Sequence, residues 1–224
     1  MILGEPGSGK TTSLRNLPPE KVLLIQCLPK PLPFRVPADS PQWEPVVTDN
    51  SAQICDLIYK AAQNRKPIVV VDDAQYLLAN EFMRTSAQKG YDKFTLMAKH
   101  GWDVVMAAFG ADPRVRVYLL WHCQTDDQGT TRAKTVGRML DEKIYLEGMV
   151  SIVLRSMRKD REYIFRTQTT GQDTCKSPIG LFAGEEIPND LAAVDAAIRE
   201  YYEIGKKSTA PTATATPASE SASA

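Results

Sequence analysis

Eight residues near the start of the chain, Gly4-Glu5-Pro6-Gly7-Ser8-Gly9-Lys10-Thr11, constrain its fold more than any other stretch. The spacing G-x-x-x-x-G-K-T puts glycine where the backbone has to curl, with a lysine and a hydroxyl directly after the curl. Glycine accepts dihedral angles that other residues disfavour, so successive N–H groups can turn inward and form a concave nest for an anion. Apolar Met1-Ile2-Leu3 runs into the turn as a strand stub, and residues 10–17 leave it as a helix stopped by Pro18-Pro19. The helix N-terminus directs its dipole at the same anion. A strand entering and a helix leaving one Gly-rich turn commit the chain to a layered α/β architecture.

The pattern downstream agrees. Residues 22–27 form an apolar strand. Residues 51–64 place Ile54, Leu57, Ile58, Ala61 and Ala62 on one helical face, with Ser51 as N-cap. Ile68-Val69-Val70-Val71 is too apolar for a half-exposed strand and predicts burial on both faces. Residues 73–86 and 91–109 read as helices, the second weakened at Gly101, and residues 115–121 as another buried strand. Residues 150–155 and 163–168 are strands joined by the charged turn 157–162, so they pair antiparallel at an edge. Residues 191–202 form an amphipathic helix capped by Asn189 or Asp190 and stopped at Gly205. The expected fold is α/β: a mostly parallel central sheet, helices on both faces, and an antiparallel edge hairpin.

Two segments stand apart. Residues 28–45 carry prolines at 29, 31, 33, 37, 41 and 45, which excludes helix and central strand. This is a long loop, anchored by Phe34 and Trp43. The Ser/Thr/Ala/Pro-rich stretch 208–224 offers no large apolar residue to order it. The chain therefore divides into one domain over residues 1–205 and a flexible tail over 206–224.

Lys+Arg and Asp+Glu both number 27, so the chain is no polybasic coat protein, and any nucleic-acid contact has to use a local patch. No apolar run approaches membrane-spanning length. The N-terminus has neither a basic n-region nor an apolar h-region, so a cytoplasmic protein without membrane partners is expected. The four cysteines are far apart and form no CxxC, and there are only two histidines. Reduced, mostly buried thiols are expected, and a structural zinc site is not.

The chemistry concentrates at three places. In the Gly-rich turn, Lys10 sets a charge on the β- and γ-phosphates of a bound nucleotide, and the Thr11 hydroxyl is a hard oxygen ligand for Mg²⁺. At the end of the apolar strand, Asp72 faces that cavity and holds Mg²⁺, directly or through water. Asp73 orients or deprotonates an attacking water, or else caps the next helix. After Val117-Tyr118-Leu119-Leu120-Trp121, His122 and Gln124 are candidates to sense the γ-phosphate, or are plain hydrogen-bonded residues. His100 has no partner motif and reads as structural.

The Gly-rich turn, the Val69-Val70-Val71-Asp72-Asp73 strand, and the stretch from Arg116-Val117-Tyr118 through Leu154-Arg155 resemble the RecA-like P-loop ATPases of bacteriophages and prophages. Asn80-Glu81-Phe82-Met83, Gly137-Arg138-Met139-Leu140-Asp141-Glu142-Lys143 and Leu146-Glu147-Gly148-Met149 are similar to segments of the same group, and the likeness covers about residues 1–202. The strand end at His122, followed by a polar loop with Gly129, is also similar to RadA-type recombination ATPases. Part of the phage group is associated with single-strand DNA annealing and homologous recombination.

The resemblance implies a RecA-type core that binds ATP and Mg²⁺, hydrolyses ATP, and assembles into a ring or filament. Gly4, Glu5, Pro6, Gly7, Ser8, Gly9, Lys10, Thr11 and Thr12 then hold the nucleotide, Thr11 and Asp72 the metal, and Lys10, Asp73 and His122 do the chemistry. Single-stranded DNA is expected along residues 126–138, where Arg132, Lys134 and Arg138 suit phosphate contacts. No aromatic lies within that stretch to stack bases, and Asp126 and Asp127 reduce its charge, so a solvated loop is the competing reading. Arg138, Arg155, Arg158 or Lys176 can alternatively reach a neighbour's γ-phosphate, and Lys176 resembles in position the trans-acting lysine of RecA relatives.

Two departures from that group matter. Its members often carry a catalytic Glu where this chain has Gln26, which orients water but takes no proton, so turnover is slow or relies on Asp73. Only three residues precede the turn, so the first strand is short or the natural start lies upstream. Two other functions come from different classes. One is a nucleotide-switched loader or regulator of a replication protein with little hydrolysis, which Gln26 favours. The other is a small-molecule kinase, which needs an Arg-rich lid that the sequence lacks.

Overall fold

The β-branched run Ile68–Asp72 is a strand in which every residue is buried. Val69 and Val71 enter one core cluster, and Ile68 and Val70 enter another. This two-sided burial is what a central parallel strand needs. The computed structural model describes residues 1–137, 140 and 143–205; the proposed tail and Arg138 lie outside them.

Along the chain the strands are β1 (Ile2–Gly4), β2 (Val22–Gln26), β3 (Val46–Val47), β4 (Ile68–Asp72), β5 (Arg116–Thr125), β6 (Thr131–Ala133), β7 (Leu154–Lys159), β8 (Glu162–Arg166) and β9 (Glu186–Pro188). The helices are α1 (Ser51–Lys60), α2 (Tyr76–Arg84), α3 (Asp92–Phe109), α4 (Leu146–Met149) and α5 (Leu191–Tyr201). The sheet runs β3-β2-β4-β5-β1-β7-β8-β9, with β6 paired on β5. Every pair from β3 to β7 is parallel, while β7–β8, β8–β9 and β5–β6 are antiparallel. The fold is therefore α/β with a mostly parallel mixed sheet. Residues of α1, α2 and α3 cover one face, and the segment after the Gly-rich turn and α5 cover the other.

The order puts β5 between β1 and β4. Gly4 at the end of β1 is in register with His122 of β5. Gln26 at the end of β2 is in register with Asp72 at the end of β4. Parallel strands place all these carboxyl ends on one edge of the sheet, where open α/β sheets bind ligands.

Several elements differ from expectation. The segment after the Gly-rich turn is a 3₁₀ helix over Thr11–Asn16 rather than an α-helix. Asn50, not Ser51, caps α1 by accepting a hydrogen bond from the Gln53 N–H at 3.0 Å. α3 runs straight through buried Gly101, whose missing side chain lets Leu78 of α2 approach closely. β5 continues to Thr125, so His122 and Gln124 lie within the strand. The β7–β8 turn is only Asp160-Arg161, both with positive φ (48° and 72°), the geometry that matches hairpin twist. β9 lies outside β8, so the hairpin is one strand in from the edge.

Other expectations hold. The Phe34 and Trp43 rings meet edge-on at 6.0 Å and tie the proline-rich loop to the core. Asp190 caps α5, accepting from the Ala192 and Ala193 N–H groups. All four cysteines are free. No helix among the described residues is long and apolar enough to cross a membrane.

Candidate functional site

Two glycines shape the turn after β1. Gly7 and Gly9 have φ of 76° and 98°, left-handed values that a side chain resists. A Cβ on Gly9 would also lie 2.7 Å from the Tyr163 ring, so Tyr163 of β8 rests directly on the backbone of the turn. From β7, Ser156 donates its hydroxyl to the Ser8 carbonyl at 2.8 Å. Asn189 donates to Ser156 Oγ at 3.0 Å, and Arg15 donates to the Asn189 carbonyl at 2.6 Å. The turn is thus tied to β7 by a polar chain that is buried at Ser156 and Asn189 and reaches the surface at Arg15.

Lys10 folds back over the turn. Its ammonium donates to the carbonyls of Gly4 and Glu5 at 2.9 and 3.0 Å. Burial pushes its pKa down, and the charges of Asp73 and Asp72 oppose that shift. Thr11 donates its hydroxyl to Asp72, 2.9 Å from Oδ1 and 3.2 Å from Oδ2. Burial raises the Asp72 carboxyl, and the neighbouring Asp73 charge raises it further.

Asp73 has φ of 55°, a costly angle for a residue with a side chain. That twist turns its carboxylate into the cavity. His122 Nε2 lies 2.9 Å from Oδ1, and Lys30 Nζ lies 2.5 Å from Oδ2. Burial raises the Asp73 carboxyl, but the bonds from His122 and Lys30 outweigh it and hold it at about 2. The helix-cap alternative for Asp73 is therefore corrected: α2 begins at Tyr76, and Asp73 is spent on the cavity.

Lys10, Thr11, Asp72, Asp73 and His122 line one cavity of about 280 Å³, together with Pro6, Gly7, Gly9 and Thr12 of the turn. These residues come from the turn after β1 and from the ends of β4 and β5. Of the other predicted nucleotide-binding residues, Gly4 does not line this cavity, and Glu5 and Ser8 line a neighbouring one with Arg155 and Arg158. Gln124 lines a separate cavity with Asp126. His100 of α3 pairs with Glu81 of α2 at 2.8 Å and does not line the cavity around Lys10. Gln26 is buried and donates to the Lys30 carbonyl at 3.2 Å, so it braces the proline-rich loop.

Sequence reasoning missed four contributors. Lys30, Pro31 and Pro33 bring one wall of the cavity from the proline-rich loop, and Tyr163 brings another from the hairpin. Lys30 had a faint signal as a cation shortly after a strand end in that loop. Tyr163 had none, because its role depends on where the hairpin lies.

The chemistry of the donor set fits Mg²⁺. Thr11 Oγ1 and the Asp72 carboxylate are hard oxygens already side by side at the cavity wall. Among the described residues no group of three or more His, Cys, Asp or Glu side chains forms a protein-only cage. Mg²⁺ is commonly held by one or two protein oxygens, with phosphate and water completing the shell.

The other basic residues separate. Arg132 and Lys176 line a second cavity of about 510 Å³ with Tyr145, and the Arg132 guanidinium stands 5.4 Å from the Tyr145 ring centre. Tyr145 lies outside residues 126–138 in sequence. Lys134 does not line this cavity; its backbone continues the β5–β6 pairing through the His122 carbonyl. Arg155 faces Asp173 at 3.8 Å, and Arg158 lies 6.0 Å over Tyr163. Compared with known proteins, the chain matches no protein-family model, and no curated protein is significantly similar to it.

Proposed function

We propose that this chain binds Mg²⁺-complexed ATP between residues 4–12 and the Asp72–Asp73 strand end, and hydrolyses it. The observation that carries the reading is the Thr11–Asp72 contact beside Lys10 in one cavity. The backbone N–H groups and Lys10 hold the phosphates. The metal, when bound, neutralises charge developing on the β- and γ-oxygens. Asp73 and His122 position the water. Its oxygen bonds to the γ-phosphorus, the bond to the bridging oxygen breaks with its electron pair leaving on ADP, and the proton passes to Asp73.

The strand order, with β5 between β1 and β4, is compatible with a RecA-like P-loop core. The reading as an ATPase of the phage type, acting in DNA recombination or single-strand annealing as a ring or filament in the cytoplasm, rests on the sequence resemblance. Arg132, Tyr145 and Lys176 are the groups best arranged for single-stranded DNA, offering phosphate contacts and one stacking surface. Lys134 and Arg138 extend that patch in sequence, and Lys176 remains the candidate for a trans contact. The second reading, a nucleotide-switched loader or regulator with little turnover, is favoured by Gln26 and by an Asp73 carboxyl held at about 2, a weak base.

Phosphate release by purified protein, with and without single-stranded DNA, tests the proposal. DNA-stimulated turnover that is lost in Lys10→Ala supports the recombination reading. Tight binding with no turnover selects the switch. Turnover unaffected by Lys10→Ala refutes the site.

A further inference from the structure

Lys30 lines the same cavity as Lys10, and none of the steps proposed for hydrolysis uses it. Its backbone is held in place. Pro29 and Pro31 flank it and restrict its conformations, and its carbonyl accepts the Gln26 amide at 3.2 Å. Further along, Leu32, Phe34 and Trp43 pack on the core. The freedom left to Lys30 is in its side chain, which is 51% exposed. Its ammonium lies 2.5 Å from Asp73 Oδ2 and 5.3 Å from the Tyr76 ring centre.

A structural role explains this placement poorly. Ion pairs with one partner half in water add little to stability, and Asp73 already has His122 on its other oxygen. The cavity walls set two carboxylates, Asp72 and Asp73, against two lysines, Lys10 and Lys30. Both lysines rest on acceptors that a phosphate can replace: backbone carbonyls for Lys10, and for Lys30 the Asp73 carboxylate, itself only 10% exposed and still bonded to His122 through its other oxygen. A triphosphate entering beside two carboxylates needs cations at its terminal oxygens. Lys10 approaches from the turn, and Lys30 is the cation that the proline-rich loop brings to the same cavity.

Resting on the reading of this cavity as a triphosphate site, we propose that Lys30 senses the terminal phosphate. It leaves Asp73 Oδ2 for the γ-phosphate of a bound triphosphate, and Asp73 is thereby released to the attacking water. A diphosphate lacks the γ-phosphate that would draw Lys30 away, so with ADP the Lys30–Asp73 pair stays closed. The site then discriminates triphosphate from diphosphate through a residue of the proline-rich loop.

The test is equilibrium binding of Mg²⁺ with ADP and with a non-hydrolysable ATP analogue, to the wild-type chain, Lys30→Ala, Lys30→Gln and Lys30→Arg. A charged hydrogen bond to phosphate is worth roughly ten-fold or more in affinity. Lys30→Ala and Lys30→Gln are expected to weaken the analogue by about that factor and leave ADP unchanged, with Lys30→Arg restoring most of the loss. Equal weakening of both nucleotides, or no change in either, overturns the role of Lys30 while leaving the site intact. A wild-type chain that binds neither nucleotide overturns the triphosphate reading and this proposal together. Urea unfolding of Lys30→Gln separates loss of the contact from loss of the fold.

Discussion

Thr11 and Asp72 lie 61 positions apart in sequence, yet the Thr11 hydroxyl donates to the Asp72 carboxylate at 2.9 Å. The contact joins the residue after the Gly-rich turn to the end of β4, across the intervening strand β5. It is the pairing on which a metal-binding role for both residues depends. It also gives a buried carboxylate a hydrogen-bond donor. Thr11→Val keeps the shape and removes that donor. It should destabilise the fold by about 1–3 kcal/mol in urea unfolding, the cost of stranding a buried polar group. Thr11→Ser, which keeps the hydroxyl, should cost much less. Equal losses in the two variants would mean that the methyl group matters and the hydroxyl does not.

Asp73 gives a pH signature. Its carboxyl sits at about 2 in the fold, against 3.8 for an ordinary aspartate. The folded value is the lower one, so its contribution is complete above the unfolded value and disappears as pH falls towards about 2. Allowing for screening of half-exposed Lys30, it amounts to roughly 1–2 kcal/mol. Asp73→Asn keeps a side chain that tolerates the left-handed angle. The stability gap between wild type and Asp73→Asn should be widest near neutrality and close between about pH 4 and pH 2. A gap that stays constant through that window would show that Asp73 is not held by His122 and Lys30.

The parts of the site legible in the sequence were those whose chemistry is local. Residues 4–11 carry their geometry in their own glycines, and an apolar strand ending in Asp72-Asp73 announces a buried carboxylate. The role of Asp73 was not legible, because cap and cavity readings differ only in one backbone angle, here 55°. Lys30, Tyr163 and Ser156 enter through loop return and hairpin placement, which no spacing encodes. β6 and β9 are three-residue strands, too short for alternation to show. The end of β5 was hidden because His122-Cys123-Gln124-Thr125 lacks an apolar pattern, although pairing with β6 carries it on.

The contact between Gly9 and Tyr163 predicts a two-part penalty. Gly9→Ala forces a side chain into φ of 98° and within 2.7 Å of the Tyr163 ring. The backbone part alone is worth about 1–3 kcal/mol. Tyr163→Ala in the same chain should recover the steric part and leave the backbone part, read as a non-additive double-mutant cycle. Strict additivity would place Tyr163 away from the turn.

Stability is concentrated elsewhere as well. Asp195 of α5 accepts two hydrogen bonds from Arg116 of β5, at 2.9 and 2.8 Å, and one from the Tyr118 hydroxyl at 2.7 Å. The Arg116 and Asp195 side chains are only 10% and 7% exposed. Asp195→Ala leaves a buried guanidinium without its partner and should cost about 3–5 kcal/mol, whereas Tyr118→Phe should cost about 1 kcal/mol. Nucleotide affinity of the folded Tyr118→Phe variant should be unchanged, because this network lines a different part of the sheet.

The central claim, one Mg²⁺-complexed triphosphate held between the Gly-rich turn and Asp72, is tested most directly by calorimetric titration of ATP with and without Mg²⁺ into wild type and Asp72→Asn. Wild type should bind ATP more tightly with Mg²⁺, and Asp72→Asn should lose most of that gain while retaining metal-free binding through Lys10 and the turn. No ATP binding by wild type, or an unchanged Mg²⁺ gain in Asp72→Asn, would contradict it.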